Sequence, residues 1–595
     1  MTTSPATKGM GPVEASIESN SRVVASGSLV SFNVTTQINK IPFAQLVLLD
    51  GDVSEQDFPL SDGPEFKPGA KIEVKAGYDG SSKSIFKGIV IRHRLKLGKS
   101  AGAMLMLDCR DDAYAMTLDR KNASFLEQPD SAVFKALIGA YSSLSADVTA
   151  TTVKYGEMVQ YYCSDWDYIL SRAEANGHVV IANDGKITIG PPKTKGPAAL
   201  EVTHGVDILD FDADIDARTQ IQKVESVAWD PTTQKTVSAT ATPDDPNKQG
   251  NLTGGALAKA VGTGTYRQQS AATLEADALT AWAKSRQLKA GMARIQGKVT
   301  FAGSALARVG SVIRLNGVGE RFDGDVYVTR VEHQVKAGEW LTTAHFGLAP
   351  QWFTEQNDVV APMAAGRLPG IGGLHIGVVT KLDEDPEKKF RVQVSMPILG
   401  PDAEPVWARV SRFYSSNEMG AFFIPEVADE VLLGFMSDDP SSPVILGSLY
   451  SSKLPPPYAM SAENNIKGLV TRSKMKIEFD DEKKILTIFT PQGNQLVLDE
   501  DNESVSLEDQ NNNSVVLDAS GITLDSPKNI SIKAGKDIAV DAAGKIAITA
   551  AQDITLDGMN ITQSASVGFT SKGGASAEFS ASGQTTVKGA MVLIN

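Results

Sequence analysis

Four aspartates occupy every second place in Asp210-Phe211-Asp212-Ala213-Asp214-Ile215-Asp216, a density of carboxylates that suggests calcium. A twelve-residue calcium loop beginning at Asp210 needs glycine at 215 for its sharp turn and an acid at 221 to chelate the ion. This chain has Ile215 and Ile221, so the aspartates read as one face of a strand whose other face carries Phe211, Ala213 and Ile215. Gly98-Lys99-Ser100 ends like a phosphate-binding loop, but the glycine required five places earlier is His93. Gly370, Gly372 and Gly373 fail as a dinucleotide loop because position 375 is His375. There is no HExxH or CxxC. A Ser, a His and an Asp brought together from distant places stay open, but the six histidines (His93, His178, His204, His333, His345, His375) are scattered and read as structural. The expectation is no enzyme, no catalytic residue, no metal and no cofactor.

What the sequence does carry is a repeat. From Gly521 to Asn560 it reads GITLDSPK, NISIKAGK, DIAVDAAG, KIAITAAQ, DITLDGMN. Ile522, Ile530, Ile538, Ile546 and Ile554 hold the second place of each octad, and Leu524, Ile532, Val540, Ile548 and Leu556 the fourth. Two apolar residues separated by one share a face of a short strand. A single such strand cannot bury that face alone, so the repeats must stack within one chain or meet other copies. Either way these ten residues are the expected core of a stiff rod with few free edges. Before it, apolar pairs at Ile477/Phe479, Leu486/Ile488, Leu496/Leu498, Val505/Leu507 and Val515/Leu517 are spaced 9, 10, 9 and 10 and read as an irregular start. Beyond Leu556 the period reads as loosening, with pairs such as Val567/Phe569 and Ala577/Phe579.

The elements that carry this rod fill the rest of the chain. Its 595 residues allow three to five domains, with 42% hydrophobic and 22% charged residues as in ordinary globular protein. A net charge of −14 argues against nucleic acid or an anionic membrane as partner. Two cysteines give no disulfide framework, the N-terminal stretch has no apolar signal region, and no run reaches membrane-helix length. Synthesis in the cytoplasm is therefore expected.

In order along the chain, residues 1–20 read as an N-terminal arm and 21–115 as a first β-barrel. Residues 116–198 read as an α/β insertion with helices at 131–144 and after the N-cap candidate Ser164, ending at Gly177. A second barrel with a helix at 271–290 spans 199–352, and 353–372 is a linker. Residues 373–450 hold five or so strands, the size of an OB-fold. Its Phe422, Phe423 and Phe435 lie among Glu426, Asp429, Glu430, Asp438 and Asp439, not beside the basic groove that single-stranded nucleic acid needs. A Pro-rich neck, 451–470, leads to 471–595.

Four stretches together resemble the VgrG spike family, which joins a phage-type baseplate hub to a needle: DWDYILSRAEANG (165–177), KVESVAWDPTTQKTV (223–237), the barrel from GVVTKLDEDPEKKFRVQVSMP to DEVLLGFMSDDPSSPVILGSLYSSKLPPP, and the octads. The first barrel looks closer to spikes of extracellular phage-tail-like particles than to type VI secretion spikes. The resemblance implies a mainly β chain: two hub β-barrels with an α/β insertion, an OB-fold, and a C-terminal intertwined trimeric β-helix needle. It implies a homotrimer that caps an inner-tube ring, contacts other baseplate proteins, touches a target membrane transiently and transmits contraction force mechanically, inside a particle released or fired toward a target cell. No lysozyme-sized insert separates barrel from needle, and no histidine lies in the rod to make a metal-bound point. The apolar Val592, Leu593, Ile594 and Asn595 are instead expected to contact a PAAR-like tip protein. The competing reading is a trimeric adhesin or fibre stalk, which predicts a secretion signal or anchor; an envelope-degrading tail enzyme predicts an inserted catalytic domain.

Overall fold

The computed structural model describes residues 3–5, 11–24, 26–52, 54–98, 102–356 and 359–594. The chain divides into two units, Met1–Leu449 and Tyr450–Asn595, and each is described by itself. No helix among the described residues is long and apolar enough to cross a membrane.

Thirteen strands of the first unit are hydrogen-bonded into one sheet that wraps two cores. Alternation builds each core: in Lys71–Tyr78, Ile72, Val74 and Ala76 turn inward while their neighbours do not. The first core gathers Phe32, Leu46, Leu48, Val74, Phe86, Leu105 and Leu107; the second gathers Val299, Phe301, Ile313, Leu315, Val326 and Phe346. The two halves are joined where Leu29–Gln37 pairs antiparallel with Gly324–Lys336, Val34 facing His333. Val335 and Trp340, from the second half of the sequence, pack into the first core. The pairing covers two edges that separate barrels would leave open. Val13–Ser19, within the expected arm, is also a strand of this sheet, paired with Lys71–Tyr78 and Arg22–Val24.

Asp210–Ile215 is a strand whose Phe211, Ala213 and Ile215 pack against the second core while the three aspartates face outward. Among the described residues no group of three or more His, Cys, Asp or Glu is arranged to hold a metal ion.

Between the two halves sit the helices Asp130–Gly139 and Asp165–Ala175, a two-stranded ribbon (Arg120–Pro129 with Lys154–Ser164) and a three-stranded sheet. Trp166, Ile169 and Leu170 pack on Phe134, Ile138, Val180, Ile187 and Ile189. A further sheet, Lys235–Ala241, Lys223–Asp230 and Thr265–Ser270, carries the helix Ala276–Met292, whose Ala283 packs on Val224 and Ala241. Five strands between His375 and Ser448 close a barrel around Val379, Val392, Val394, Ala408, Val431, Leu433 and Ile445.

The second unit opens with a seven-stranded antiparallel meander, Ile466–Val470 to Gly521–Asp525, each strand pairing with the next. The apolar spacing read as irregular is the signature of this sheet. Five-residue strands alternate with turns of four residues (481–484, 500–503) and five (490–494, 509–513), which gives 9 and 10 in turn. The last turn has two residues, 519–520, which gives 7. Aspartates shape the turns: Asp480 accepts the N–H groups of Glu482 and Lys483, and Asp499 that of Asn502. Asp509 accepts the Asn513 side-chain amide and the backbone N–H groups of Asn513 and Asn511, and these hydrogen bonds bring its carboxyl down to about 2.

Beyond Asp525 the described residues form no strand pairs within the chain. Bends recur instead at 527–528, 535–536, 543–544 and 551–552, then at 559, and again at 566–567, 574–575, 582–583 and 590–591. The period therefore does not loosen after Leu556. It slips once by a residue near Met559 and resumes at eight: Ile561, Phe569, Ala577, Thr585 and Leu593 continue the row of Ile522 to Ile554.

Candidate assembly surfaces

The meander's register gathers its apolar pairs on one face. One row runs Leu469, Ile477, Ile488, Leu496, Leu507, Val515, Leu524, each opposite the next. The second runs Phe479, Leu486, Leu498, Val505, Leu517, Ile522. The other face carries Glu478, Thr487, Val497, Ser506, Val516 and Thr523. Leu486, Leu498, Val505 and Leu517 line an open depression of about 500 Å³ on the apolar side. Among the described residues of the second unit these rows stay largely open: Phe479, Ile488, Leu507 and Leu517 are exposed, and Leu486, Leu496 and Val515 are half-buried.

The ten octad residues continue the pattern. Ile522 and Leu524 end the two rows on the meander's last strand, opposite Leu517 and Val515. Ile530, Ile532, Ile538, Val540, Ile546, Ile548, Ile554 and Leu556 follow on backbone without strand pairing, and the ten are 52–73% exposed. At the far end Val592, Leu593 and Ile594 are 48%, 84% and 91% exposed, and Asn595 lies outside the described residues. Sequence reading missed the meander rows, although the alternation of 9 and 10 encodes them. It also missed Ile561 and Val587, and it named Phe569 and Phe579 only in the loosened pairs Val567/Phe569 and Ala577/Phe579, although all four keep octad places after the slip.

The helix Asp165–Ala175 is a clamp. Ser164 caps it: its hydroxyl accepts the Asp167 N–H at 3.1 Å and donates to the Asp167 carboxylate at 2.6 Å. Buried Asp165 accepts from Lys121 (2.6 Å), Tyr141 (2.6 Å) and Gln160 (2.9 Å). Burial pushes its carboxyl up, but these hydrogen bonds outweigh that and hold it below the usual range. Arg172 grips the fully buried Asp130 with two bonds, at 2.8 and 2.9 Å, and stacks on Tyr155. Asn176 adds a third bond to Asp130. Asp165 thus ties the helix to the ribbon through Lys121 and Gln160, Arg172 does so through Tyr155, and Arg172 and Asn176 tie it to the helix that begins at Asp130.

The turn after Trp229 is closed by Asp230, which accepts from Thr232 N–H and the Thr233 hydroxyl. In the barrel, Asp385 accepts the backbone N–H groups of Glu387, Lys389 and Arg391 and the Arg391 guanidinium at 2.6 Å. The guanidinium above all holds its carboxyl far below the usual range. The histidines stand apart from one another: His333 is buried against Trp340, His345 lies by Glu332, His375 meets the Gly372 carbonyl, and His93 meets Ser61.

Comparison with known proteins agrees with this layout. The family described as Alg8 N-terminal domain matches residues 11–337, more than half of the chain. The type VI secretion system/phage-baseplate injector OB domain matches residues 375–450, the closed barrel. The type VI secretion system spike protein VgrG1a of Pseudomonas aeruginosa is 33% identical over 67 residues, 11% of this chain and 10% of that protein. The chain thus matches about a tenth of the curated relatives' length. Among solved structures, the 43 kDa tail protein of prophage MuSo2 from Shewanella oneidensis is similar at a TM-score of 0.44 and 11% identity, covering 57% of this chain and 98% of that one. The Francisella PdpA-VgrG complex, half-lidded, gives 0.39 and 9%, covering 86% and 88%. The chain belongs to the Alg8 N-terminal domain family, and over a short stretch it is similar to spike proteins of the VgrG family.

Proposed function

We propose that three copies of this chain associate through the uncovered apolar rows of residues 469–594 to make the central spike of a contractile injection apparatus. The observation that carries this reading is the pair of rows, continuous in register across seven strands and prolonged by octads that find no partner in their own chain. Three such faces turned to a common axis would bury one another, at roughly 1.5–3 kcal/mol for each Ile, Leu or Val covered. Backbone donors of the octads would pair with neighbouring copies, leaving few edges.

In this reading the first unit forms the hub. Three copies of its two halves cap the inner-tube ring and meet other baseplate proteins, and the needle of residues 471–595 passes contraction force to a target envelope without making or breaking a covalent bond. Val592, Leu593, Ile594 and Asn595 contact a PAAR-like tip protein. The spike is made in the cytoplasm and built into a phage-tail-like particle of the extracellular kind, which it leaves only on firing toward a target cell. The family membership and the injector OB domain support the hub and spike roles.

The test is the mass of the full chain by light scattering. Three chains per particle is the expected result; a monomer overturns the shared needle and with it the force-transmitting role. For the tip, a PAAR-like protein added to the trimer should bind the wild-type chain and not one with Leu593→Glu and Ile594→Glu.

A further inference from the structure

Ser61 lies in the single-turn helix Pro59–Asp62, and His93 on the long strand Lys83–Gly98. Ser61 Oγ stands 2.6 Å from His93 Nε2, and His93 Nδ1 stands 3.0 Å from the Phe66 carbonyl oxygen. A carbonyl oxygen only accepts, so Nδ1 carries the ring proton and Nε2 presents its lone pair to the serine hydroxyl. Nucleophile, base and orienting acceptor are thus in line, the arrangement that activates a hydroxyl. Both side chains are partly exposed, within reach of a solute.

We propose that Ser61 is a reactive serine, activated by His93, that is modified once by acyl or phosphonyl electrophiles. The single use follows from its surroundings. The Ser61 N–H donates to Asp50 Oδ2 at 2.8 Å and the Leu60 N–H to Asp50 Oδ1 at 3.0 Å. Backbone donors beside a nucleophile stabilise the oxyanion of a turnover cycle, and here a carboxylate holds them. The same short segment contains a control. Ser54, also exposed, donates to Asp52 Oδ1 at 2.5 Å, and burial-free Asp52, its carboxyl lowered by the Ser54 bonds, is too weak a base to assist.

The experiment treats the full chain with a fluorophosphonate probe and maps the adduct by mass spectrometry. Ser61 Oγ attacks phosphorus, the P–F bond breaks, fluoride leaves, and the hydroxyl proton passes to His93 Nε2 and then to water. The expected result is one adduct, on Ser61, at a time when Ser54 is unmodified. The rate should fall roughly a hundredfold in His93→Gln, the usual weight of a general base. Absence of a Ser61 adduct in the wild-type chain, or equal labelling of Ser54, overturns the proposal without recourse to any variant. Labelling of a folded His93→Gln chain at the wild-type rate overturns the role of the imidazole. With p-nitrophenyl acetate, Ser61 should release about one p-nitrophenolate and stall; sustained turnover that Ser61→Ala abolishes would overturn the single use.

Discussion

Leu46 and Leu48 in the first unit and Ile546 and Ile548 in the second follow the same alternation and meet opposite fates. The leucines are 1% exposed in a core of their own chain; the isoleucines are 52% and 73% exposed. Period-two patterning is identical in the two places. On the function proposed above, what differs is the number of chains needed to close the core. In the hub, strands hundreds of residues apart return to pair, as Leu29–Gln37 does with Gly324–Lys336. In the second unit each strand of the meander meets only its sequence neighbours, and the octads meet none. The hub should therefore fold as an isolated chain, and the needle should depend on chain concentration.

The sharpest way to break that contrast is Ile538→Asp in the full chain. Three carboxylates brought into an apolar axis, each costing several kcal/mol to bury, should reduce the light-scattering mass from three chains to one. The hub's circular dichroism and unfolding midpoint should not move. Retained trimers would show that Ile538 faces solvent.

The converse change is Arg172→Met, which leaves Asp130 buried without its guanidinium partner. The hub transition in urea should lose about 3–5 kcal/mol while the trimer mass of folded protein stays the same. An unaltered midpoint would mean that Asn176 and water suffice for Asp130.

How much of this was legible beforehand follows the same division. The octads were visible because one residue type repeats at one interval. The barrel at 375–450 and the helix after Ser164 were visible through strand, cap and turn residues that act locally. The meander was hidden, since turns of four and five residues break any fixed period, although their alternation is itself regular. The last five octads were hidden by composition: Gln563, Ser571, Ala577 and Thr585 occupy places that earlier hold Ile, Leu or Val. The joining of the hub's halves and the meeting of Ser61 with His93 leave no local pattern, because tertiary pairing alone creates them.

Acid should separate the two regions next. His333 is fully buried beside Trp340, bonded to the Thr342 hydroxyl at 3.0 Å; burial, with the nearby Arg308 charge, brings its pKa down to about 4. Above about 6.5 both folded and unfolded chains hold it neutral and the hub keeps its full stability. As pH falls from 6.5 toward 4 only the unfolded chain takes the proton, so the hub loses up to about 3 kcal/mol. The needle has no histidine to titrate there. Urea midpoints of the hub measured between pH 7 and 4 should fall, and His333→Gln should flatten the curve. An equal slope in that variant would assign the effect to other groups.

The smallest expected effect tests the slipped register directly. If the period resumes after Met559, Gln563 holds the place filled by Leu556 one repeat earlier, and its carboxamide faces the shared axis in three copies. Gln563→Ile should then replace a buried polar group with an aliphatic one and raise the needle's resistance to denaturant by roughly 1–2 kcal/mol per chain. Thr562→Ile, one place along the same stretch, points to the opposite face and should gain nothing. If the period were truly lost after Leu556, the two variants would behave alike. A gain at 563 and not at 562 fixes the phase of the last octads, and with it which of Val592 to Ile594 shares a face with Ile522.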